Sequence, residues 1–447
     1  MQTRRCNQQQ QLRLMPPLEE FVPEDYPLRR LNRVLDLSFV HEIVRDRYCQ
    51  DNGRPSIDPE VIIRLFLLQA IAGIPHVREL LREVQVNLAY RWFIGYEIDE
   101  PLPDHSTLSK ALTRFGDEVF NEVFQRSIGQ CRQSGLIEGQ VLHVDATTIR
   151  ADLDKEKVNK PGSADPDARY GRFGDGSLQP GYKQQTVADD ASRVVLAIEV
   201  HPANESEHES AVTVIDAALA QLAQPAGVVC ADAAYASGEN KAALEARGIR
   251  LVSPPPKLAS HRGDQYFTVE DFVYDENRDR FVCPAGEVLR YRGSERVKGQ
   301  QRRQYYAERS RCQRCALKSG CTQGNQRKVK VSAYHGALIR LRADSHSEDF
   351  QQLYRTRAPV IEGVFAEAKQ WHGLRRAWRR GLAKMRIQCL LIAAVLNFKR
   401  LAAAFLRLLW SLAVILTFLR RFLDVLRRRW QKIFTPHHRR RILYMTP

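Results

Sequence analysis

The sequence predicts a mixed α/β protein with an all-α N-terminal region and a small cysteine-containing insertion. Three observations carry that prediction. Residues 25 to 135 repeat apolar residues at helical spacing. From residue 138 the texture changes to β-branched apolar runs that alternate with helical patterns, as a covered mixed sheet requires. Residues 256 to 345 interrupt the alternation with Arg, Gln, Tyr and four of the nine cysteines, and helical periodicity then resumes.

Residues 1 to 24 read as a flexible, Gln-rich arm. In "SIDPEVIIRLFLLQAIAGIPHVRELLREV", Asp58 before Pro59 and Glu60 has the chemistry of an N-cap, with Pro at the first helical position. Gly73 and Pro75 end that helix and start another. "PDHSTLSKALTRFG" predicts a capped short helix closed by Gly116. Short helices joined by tight turns suit helix-turn-helix geometry, so residues 25 to 135 are a candidate DNA-binding domain; a plain helical bundle is the competing reading. "QVLHVDATTIRA" is a strand, and "GYKQQTVADD" with "RVVLAIEVHPA" forms a hairpin around residues 190 to 193. The intervening loop, rich in Gly, Pro and charge, is expected to be mobile. A helix, the strand "GVVCADAAY", a helix and the strand "IRLVSPPP" complete the first part of the core, residues 136 to 255. The core closes with helices over 346 to 405, the first of them starting near Val360 with Pro359 in its first turn. Residues 406 to 447 form a basic, apolar helical tail.

The 447 residues carry 68 Lys and Arg against 52 acids, a formal charge of +16 and a pI near 9.5. That excess favours a polyanion partner: nucleic acid or an anionic membrane surface. The polar, basic opening has no apolar signal core, and nine dilute cysteines make no disulfide framework, so a cytoplasmic, reduced protein is expected. "LLWSLAVILTFL", residues 408 to 419, is apolar over only 12 positions between arginines, short of the roughly 20 a span needs. No membrane partner is expected.

The chemistry concentrates on carboxylates. Asp145 lies within an apolar strand, where a charge is costly unless paired or bound to a metal. Asp232 follows a second apolar strand, and Glu362 lies on the helix after the insertion. Two strand-borne aspartates and one helix-borne glutamate can meet at one sheet edge. Their mutual repulsion is relieved by hard divalent cations, which take oxygen ligands and, in pairs, serve phosphodiester chemistry.

On these residues the chain resembles the DDE transposases of bacterial insertion sequences, with an RNase H-like catalytic core. The resemblance covers about residues 20 to 400. It rests on "RPSIDPEVIIRLFLLQAIAGI", "NLAYRWFIGYEID", "PDHSTLSKALTRFG", "HVDATTIRA", "GYKQQTVAD", "VVCADAAYAS" and "YRTRAPVIEGVFAEAKQWHGLRRAWRRGLAKM", in that order. It implies Asp145, Asp232 and Glu362 as the catalytic triad, holding two Mg²⁺ or Mn²⁺ ions. It also implies strand cleavage that frees a 3′-OH, which then attacks target DNA. The family's glutamate helix carries Tyr, Arg, Glu and Lys in set order, filled here by Tyr354, Arg357, Glu362 and Lys369. Two residues separate Tyr from Arg and six separate Glu from Lys, as the pattern asks; Arg to Glu leaves four where the pattern has three. Glu367 is the rival glutamate, with the wrong spacing to Lys369.

Beyond Glu362, the cations Arg375, Arg376, Arg379, Arg380 and Lys384 interleave with Trp371 and Trp378, a composition suited to phosphate contact and base stacking. Cys283, Cys312, Cys315 and Cys321 form a candidate structural Zn²⁺ site, four reduced cysteines on a β-rich insert being the plainer reading. Partners implied are double-stranded DNA, as terminal inverted repeats and target, and further copies of the chain in a dimer or larger synaptic complex. The competing functions are an RNase H-like nuclease without strand transfer, a catalytically inactive transposase-derived DNA-binding protein, and a membrane-surface protein using the tail.

Overall fold

The computed structural model describes residues 16–49, 56–256, 266–297 and 300–434. Its centre is a six-stranded mixed sheet. β1 (Val141–Arg150) is flanked by β3 (Leu178–Asp189) on one side and β5 (Val228–Ala231) on the other, with β6 (Arg250–Val252) beyond β5. The far edge of β3 pairs first with the short β2 (Arg169–Arg172) and then with β4 (Val195–Pro202). β1, β5 and β6 run parallel and β3 antiparallel to β1, so this is the mixed sheet expected of an RNase H-like core. β1 is central, which explains its apolar sequence: Leu142, Val144 and Ile149 are fully buried. Gly181 is required where β3 turns from β2 to β4, because a Cβ there would stand 2.1 Å from the Ile149 carbonyl.

The N-terminal region is helical as predicted. α1 (Pro59–Ala72) is capped by Asp58, whose side chain accepts from the Glu60 N–H, and ends at Gly73 in the left-handed conformation at φ 65°. α2 (Val77–Val86) follows at 94° to α1, within the range of helix-turn-helix pairs. α3 (Leu88–Ile94) and the long α4 (His105–Gln133) complete the region. Gly116, at φ 64° and ψ −174°, does break α4, but a second helical stretch resumes at once instead of a loop.

One hydrophobic core runs through both regions. It joins α1 and α4 to the sheet and to α10 (Leu382–Phe434), whose first half packs on α4, α1 and β4. Leu382–Leu408 is long and apolar enough to cross a membrane, yet 67% of its most apolar window is buried in this core. Asn397 ties the three layers together. Its amide accepts from the Val195 N–H (2.8 Å) and donates to the Val195 carbonyl (2.9 Å) and to Ser127 Oγ on α4 (3.1 Å). Farther along α10, Leu408, Trp410, Val414, Ile415, Leu416, Leu419, Phe422 and Leu423 are exposed.

Two expectations are corrected. The loop between β1 and β3 is not loose. β2 lies within it, and Asp165, 1% exposed, accepts from Tyr182 Oη (2.5 Å) and the Gly381 N–H (3.0 Å), pinning the loop to the start of α10. Its sequence hides this because the fastening groups are polar and their partners are distant in the chain. Pro359 is not in a first turn: α8 (Glu348–Arg357) continues through a π-turn, Ala358–Glu362, into α9 (Gly363–Trp371). A proline cannot donate to an α-helical turn, and the wider turn accommodates it.

The insertion is a five-stranded antiparallel sheet: β7 (Val273–Asp275), β8 (Arg280–Val282), β9 (Val288–Val297), β10 (Gln300–Tyr306) and β11 (Lys328–Ser332). It has its own small core of Phe272, Phe281, Leu289, Tyr305, Val329 and Val331. The chain then returns through α7 (His335–Ser345), which packs on β6 and on α6 (Gly238–Glu245).

Candidate active site

The site begins at the end of β5. The last register pair between β1 and β5 is Val144 with Ala231, so Asp145 and Asp232 follow as neighbours on adjacent parallel strands. Such strands lie about 4.8 Å apart. Beyond this point β5 has ended while β1 continues, leaving a notch in the sheet. Asp232 caps the short turn Ala233–Tyr235, accepting from the Ala234 N–H at 3.0 Å.

The π-turn packs against β1 and α8 against β5. Arg357, buried at the junction of α8 and that turn, donates from Nη2 to Asp145 Oδ2 at 2.6 Å. The turn also explains the extra residue between Arg357 and Glu362. A π-turn closes on five residues where an α-turn closes on four. The five steps from Arg357 to Glu362 therefore cover about one turn, as four steps do in the family pattern. Glu362 itself is exposed at the end of the turn and makes no ion pair among the described residues.

Charge is costly here. Burial pushes the Asp145 carboxyl up to about 6, against the pull of Arg357 and the Ala146 N–H, and the negative charges of Asp232 and Glu207 push the same way as burial. Burial and Glu207 likewise raise Asp232, opposed by Arg357. Glu207, in the first turn of α5 (Glu207–Leu219), is a residue the sequence reading passed over. Two buried polar atoms of residues beside the notch lack partners among the described residues: Arg357 Nε, whose guanidinium holds Asp145, and Tyr235 Oη, in the turn after Asp232. His143, fully buried, meets Asp190 at 2.6 Å through Nε2. The rival Glu367 is engaged elsewhere: burial opposes its charge, but hydrogen bonds from His372, Lys399 and Arg400 hold its carboxyl well below the usual range.

The basic segment lies beside the notch. After α9 the chain adds to the end of β1: the Arg150 N–H donates to the Arg375 carbonyl (3.1 Å) and the Ala377 N–H to the Arg150 carbonyl (2.8 Å). Lys369, Arg375 and Arg376 thereby line one cleft of about 330 Å³ with Thr148, Arg150 and Phe173. Burial lowers Lys369, Arg375 lowers it further, and Asp145 acts in the opposite sense. Arg150 and Phe173 gave no sequence signal, since Phe173 sits in the loop read as mobile. Arg380 and Lys384 line a second cleft, of about 540 Å³, between α1, α4 and the start of α10. Tyr354 is half-buried and stacks on Phe350 at 6.4 Å. Trp371 is 62% exposed, whereas Trp378 packs on the core.

In the insertion, Cys283 and Cys312–Cys315 each sit in a tight turn. The Gly286 N–H donates to the Cys283 carbonyl (2.8 Å) and the Cys315 N–H to that of Cys312 (3.4 Å). Backbone N–H groups of Glu287 and Arg327 point at the sulfurs of Cys283 (3.3 Å) and Cys312 (3.5 Å). Burial raises the Cys321 thiol, Arg327 opposes, and Cys312, Cys283 and Cys315 add to the rise, so the four sulfurs share one neighbourhood. Among the described residues, no three His, Cys, Asp or Glu side chains stand in ready-made metal-binding geometry.

Comparison with known proteins follows the two ends of the chain. Residues 16–114 match the family described as Transposase domain (DUF772), and residues 282–402 match Transposase DDE domain. No curated protein matches the chain. Similar solved structures include a piggyBac transposase synaptic complex with hairpin DNA, at 12% identity and a TM-score of 0.32, covering 84% of this chain and 78% of that one. A Mos1 transposase paired-end complex with the left transposon end is 11% identical, at a TM-score of 0.18, covering 73% and 83%. The Transposase DDE domain match spans the insertion's cysteines, the π-turn, Glu362 and the basic segment, and with the transposase-domain match at the N-terminal end it supports a DDE-type transposase.

Proposed function

We propose that this transposase cuts DNA at the ends of a mobile element and joins the freed 3′ ends to target DNA, with Asp145, Asp232 and Glu362 as the acidic triad. The observation that supports this most is the pairing of Asp145 and Asp232 at the notch, with Arg357, from the helix that carries Glu362, bonded to Asp145. DDE transposases generally use divalent metal ions. The chemistry of the donors suits them: carboxylate oxygens, with a cost to ionisation in their absence, beside the orphaned Tyr235 hydroxyl. Two Mg²⁺ or Mn²⁺ ions, when bound, supply charge stabilisation at the attacking and leaving oxygens.

The chain's own residues do the positioning. Arg357 fixes the Asp145 carboxylate and offsets the repulsion between the two aspartates. Lys369, Arg375 and Arg376 hold the phosphate next to the scissile bond in the cleft beside β1, with Tyr354 packing the helix behind them. Arg380 and Lys384 continue the contact along the DNA backbone, and the helical region reads the terminal repeats. Two element ends must be brought together, so the working form is a dimer or larger complex on double-stranded DNA, in the cytoplasm at the nucleoid. The test is incubation of labelled element-end DNA with target DNA and Mg²⁺: joined products support the reading, cleavage without joining reduces it to a nuclease, and binding without cleavage in Mg²⁺ or Mn²⁺ removes the enzyme.

Cys283, Cys312, Cys315 and Cys321 hold one structural zinc ion in this reading. Four thiolates leave no open position for catalysis. Purified protein is expected to carry about one zinc per chain by elemental analysis, and Cys312→Ser to lose it and melt at a lower temperature. A full-length protein with no zinc and an unchanged melt for the variant would reduce the cysteines to core packing.

A further inference from the structure

The insertion's sheet has two unlike faces. Inward, Phe281, Leu289, Tyr305, Val329 and Val331 belong to its small core. Outward, the register sets side chains of β9, β10 and β11 in rows across the three strands. Tyr306 stands between Arg290 and Lys328, Arg302 stands between Glu295 and Ser332, and Gln304 faces Lys330 in the row between these two. Residues two apart on a strand share a face, so the rows lie on one side, opposite Tyr305, Val329 and Val331. The contacts agree. Lys328 Nζ sits over the Tyr306 ring at 4.9 Å, and Lys330 Nζ reaches Glu295 at 2.6 Å. Lys330 holds the Glu295 carboxyl below its usual range, and the charges of Lys328 and Arg302 act in the same sense.

Charge decides what this face can meet. Arg290, Arg302 and Lys330 are exposed and Lys328 is half-buried, while Glu295 is the sole carboxylate of the rows. No large apolar side chain within them is exposed, so nothing there would enter a bilayer. The complement is a polyanion whose oxygens can take cations, the Gln304 amide and the Ser332 hydroxyl. A major groove about 12 Å wide admits a helix or a two-stranded ribbon. A face three strands across, on a five-stranded sheet, is broader than that ribbon and meets phosphates in preference to base edges. The face is also firmly mounted. Arg340 on α7 pairs with Glu276, in the turn between β7 and β8, at 2.8 Å and with Glu245 on α6 at 2.7 Å.

We propose that the outer face of β9, β10 and β11 is a further DNA-binding surface, gripping the phosphate backbone of double-stranded DNA through Arg290, Arg302, Lys328 and Lys330 without regard to sequence. This rests on the proposed function for DNA as the partner, and it adds a surface apart from the notch and its clefts. Binding of the full-length protein to two labelled duplexes, one of element-end and one of unrelated sequence, is measured over a series of KCl concentrations. Wild type runs beside the combined variant Arg290→Ala, Arg302→Ala and Lys328→Ala. Two comparators accompany it. Lys155→Ala, Lys157→Ala and Lys160→Ala together remove the same charge from the exposed loop before β2, and Arg375→Ala with Arg376→Ala alters the cleft beside the notch. Circular dichroism and melting check that each protein is folded.

The sheet variant is expected to bind both duplexes about tenfold more weakly at physiological salt, and its slope of log affinity on log salt to be shallower by about 2 to 3. The loop variant is expected to bind like wild type. If the sheet variant binds like wild type while the cleft variant is weakened, the inference is overturned and the proposed function stands. If the loop variant loses as much as the sheet variant, the loss is one of net charge alone, and the inference is again overturned. A loss confined to the element-end duplex overturns the sequence-independent contact. If wild type binds neither duplex, the proposed function fails and the inference with it.

Discussion

Asp145→Asn, Asp232→Asn and Glu362→Gln are each expected to lower strand cleavage and joining by about 10³-fold or more, with binding of element-end DNA retained. Each substitution keeps the shape of the side chain and removes the anionic oxygen that a hard cation requires. Fold is spared for different reasons at the three positions. Glu362 is exposed and makes no ion pair among the described residues, so its amide costs nothing in packing. Asp145 and Asp232 pay for their charge in the metal-free protein, since burial raises both carboxyls. Asn at 145 still offers a carbonyl oxygen to Arg357. The measurement is single-turnover cleavage and joining on labelled DNA, beside an electrophoretic binding assay. A variant that cleaves at the wild-type rate removes that residue from the triad. Glu367 is a poor substitute for Glu362, because withdrawing it would strand Lys399 and Arg400.

The second large effect is on stability. Asn397→Leu is expected to destabilise the protein by about 3–5 kcal/mol, seen as a lower denaturant midpoint. Leu has similar bulk, so no large cavity forms. The loss is of partners: the buried N–H and carbonyl of Val195, at the start of β4, and the Ser127 hydroxyl on α4 would all be left without the amide that now serves them. Each unsatisfied buried group costs about 1–3 kcal/mol. Because Asn397 sits where helical region, sheet and α10 meet, the loss should appear as an earlier single transition. An unchanged midpoint would mean that β4 finds other partners.

How much of this was legible in the sequence depends on the kind of signal. Val141, Val144 and Ile149 announce a buried strand, and Asp58 with Pro59 announces a helix start, because burial and capping leave marks within a few residues. The insertion's β9 and β10 do not announce themselves. "RYRGSERV" and "QQRRQYY" are polar strands, mostly exposed, on a core of only a few side chains. The pinned loop, the shared core and Asn397 depend on pairs 200 or more residues apart, which no local pattern encodes. At the site, the two aspartates and Glu362 could be named because each sits at the end or on the face of a readable element. Glu207 was lost among the three acids of "NESEHES", where a helix start and a solvated surface look the same.

The π-turn between Arg357 and Glu362 has a consequence for how such chains diverge. Position along a polypeptide and direction around a helix axis are separate coordinates, and a widened turn lets one change while the other is kept. The five steps from Arg357 to Glu362 span about the angle that four span in an α-helix, while Arg357 stays bonded to Asp145. A chain with one residue fewer here, closed by an α-turn, would present the two side chains at nearly the same angle, so their angular order is a steadier mark than their spacing.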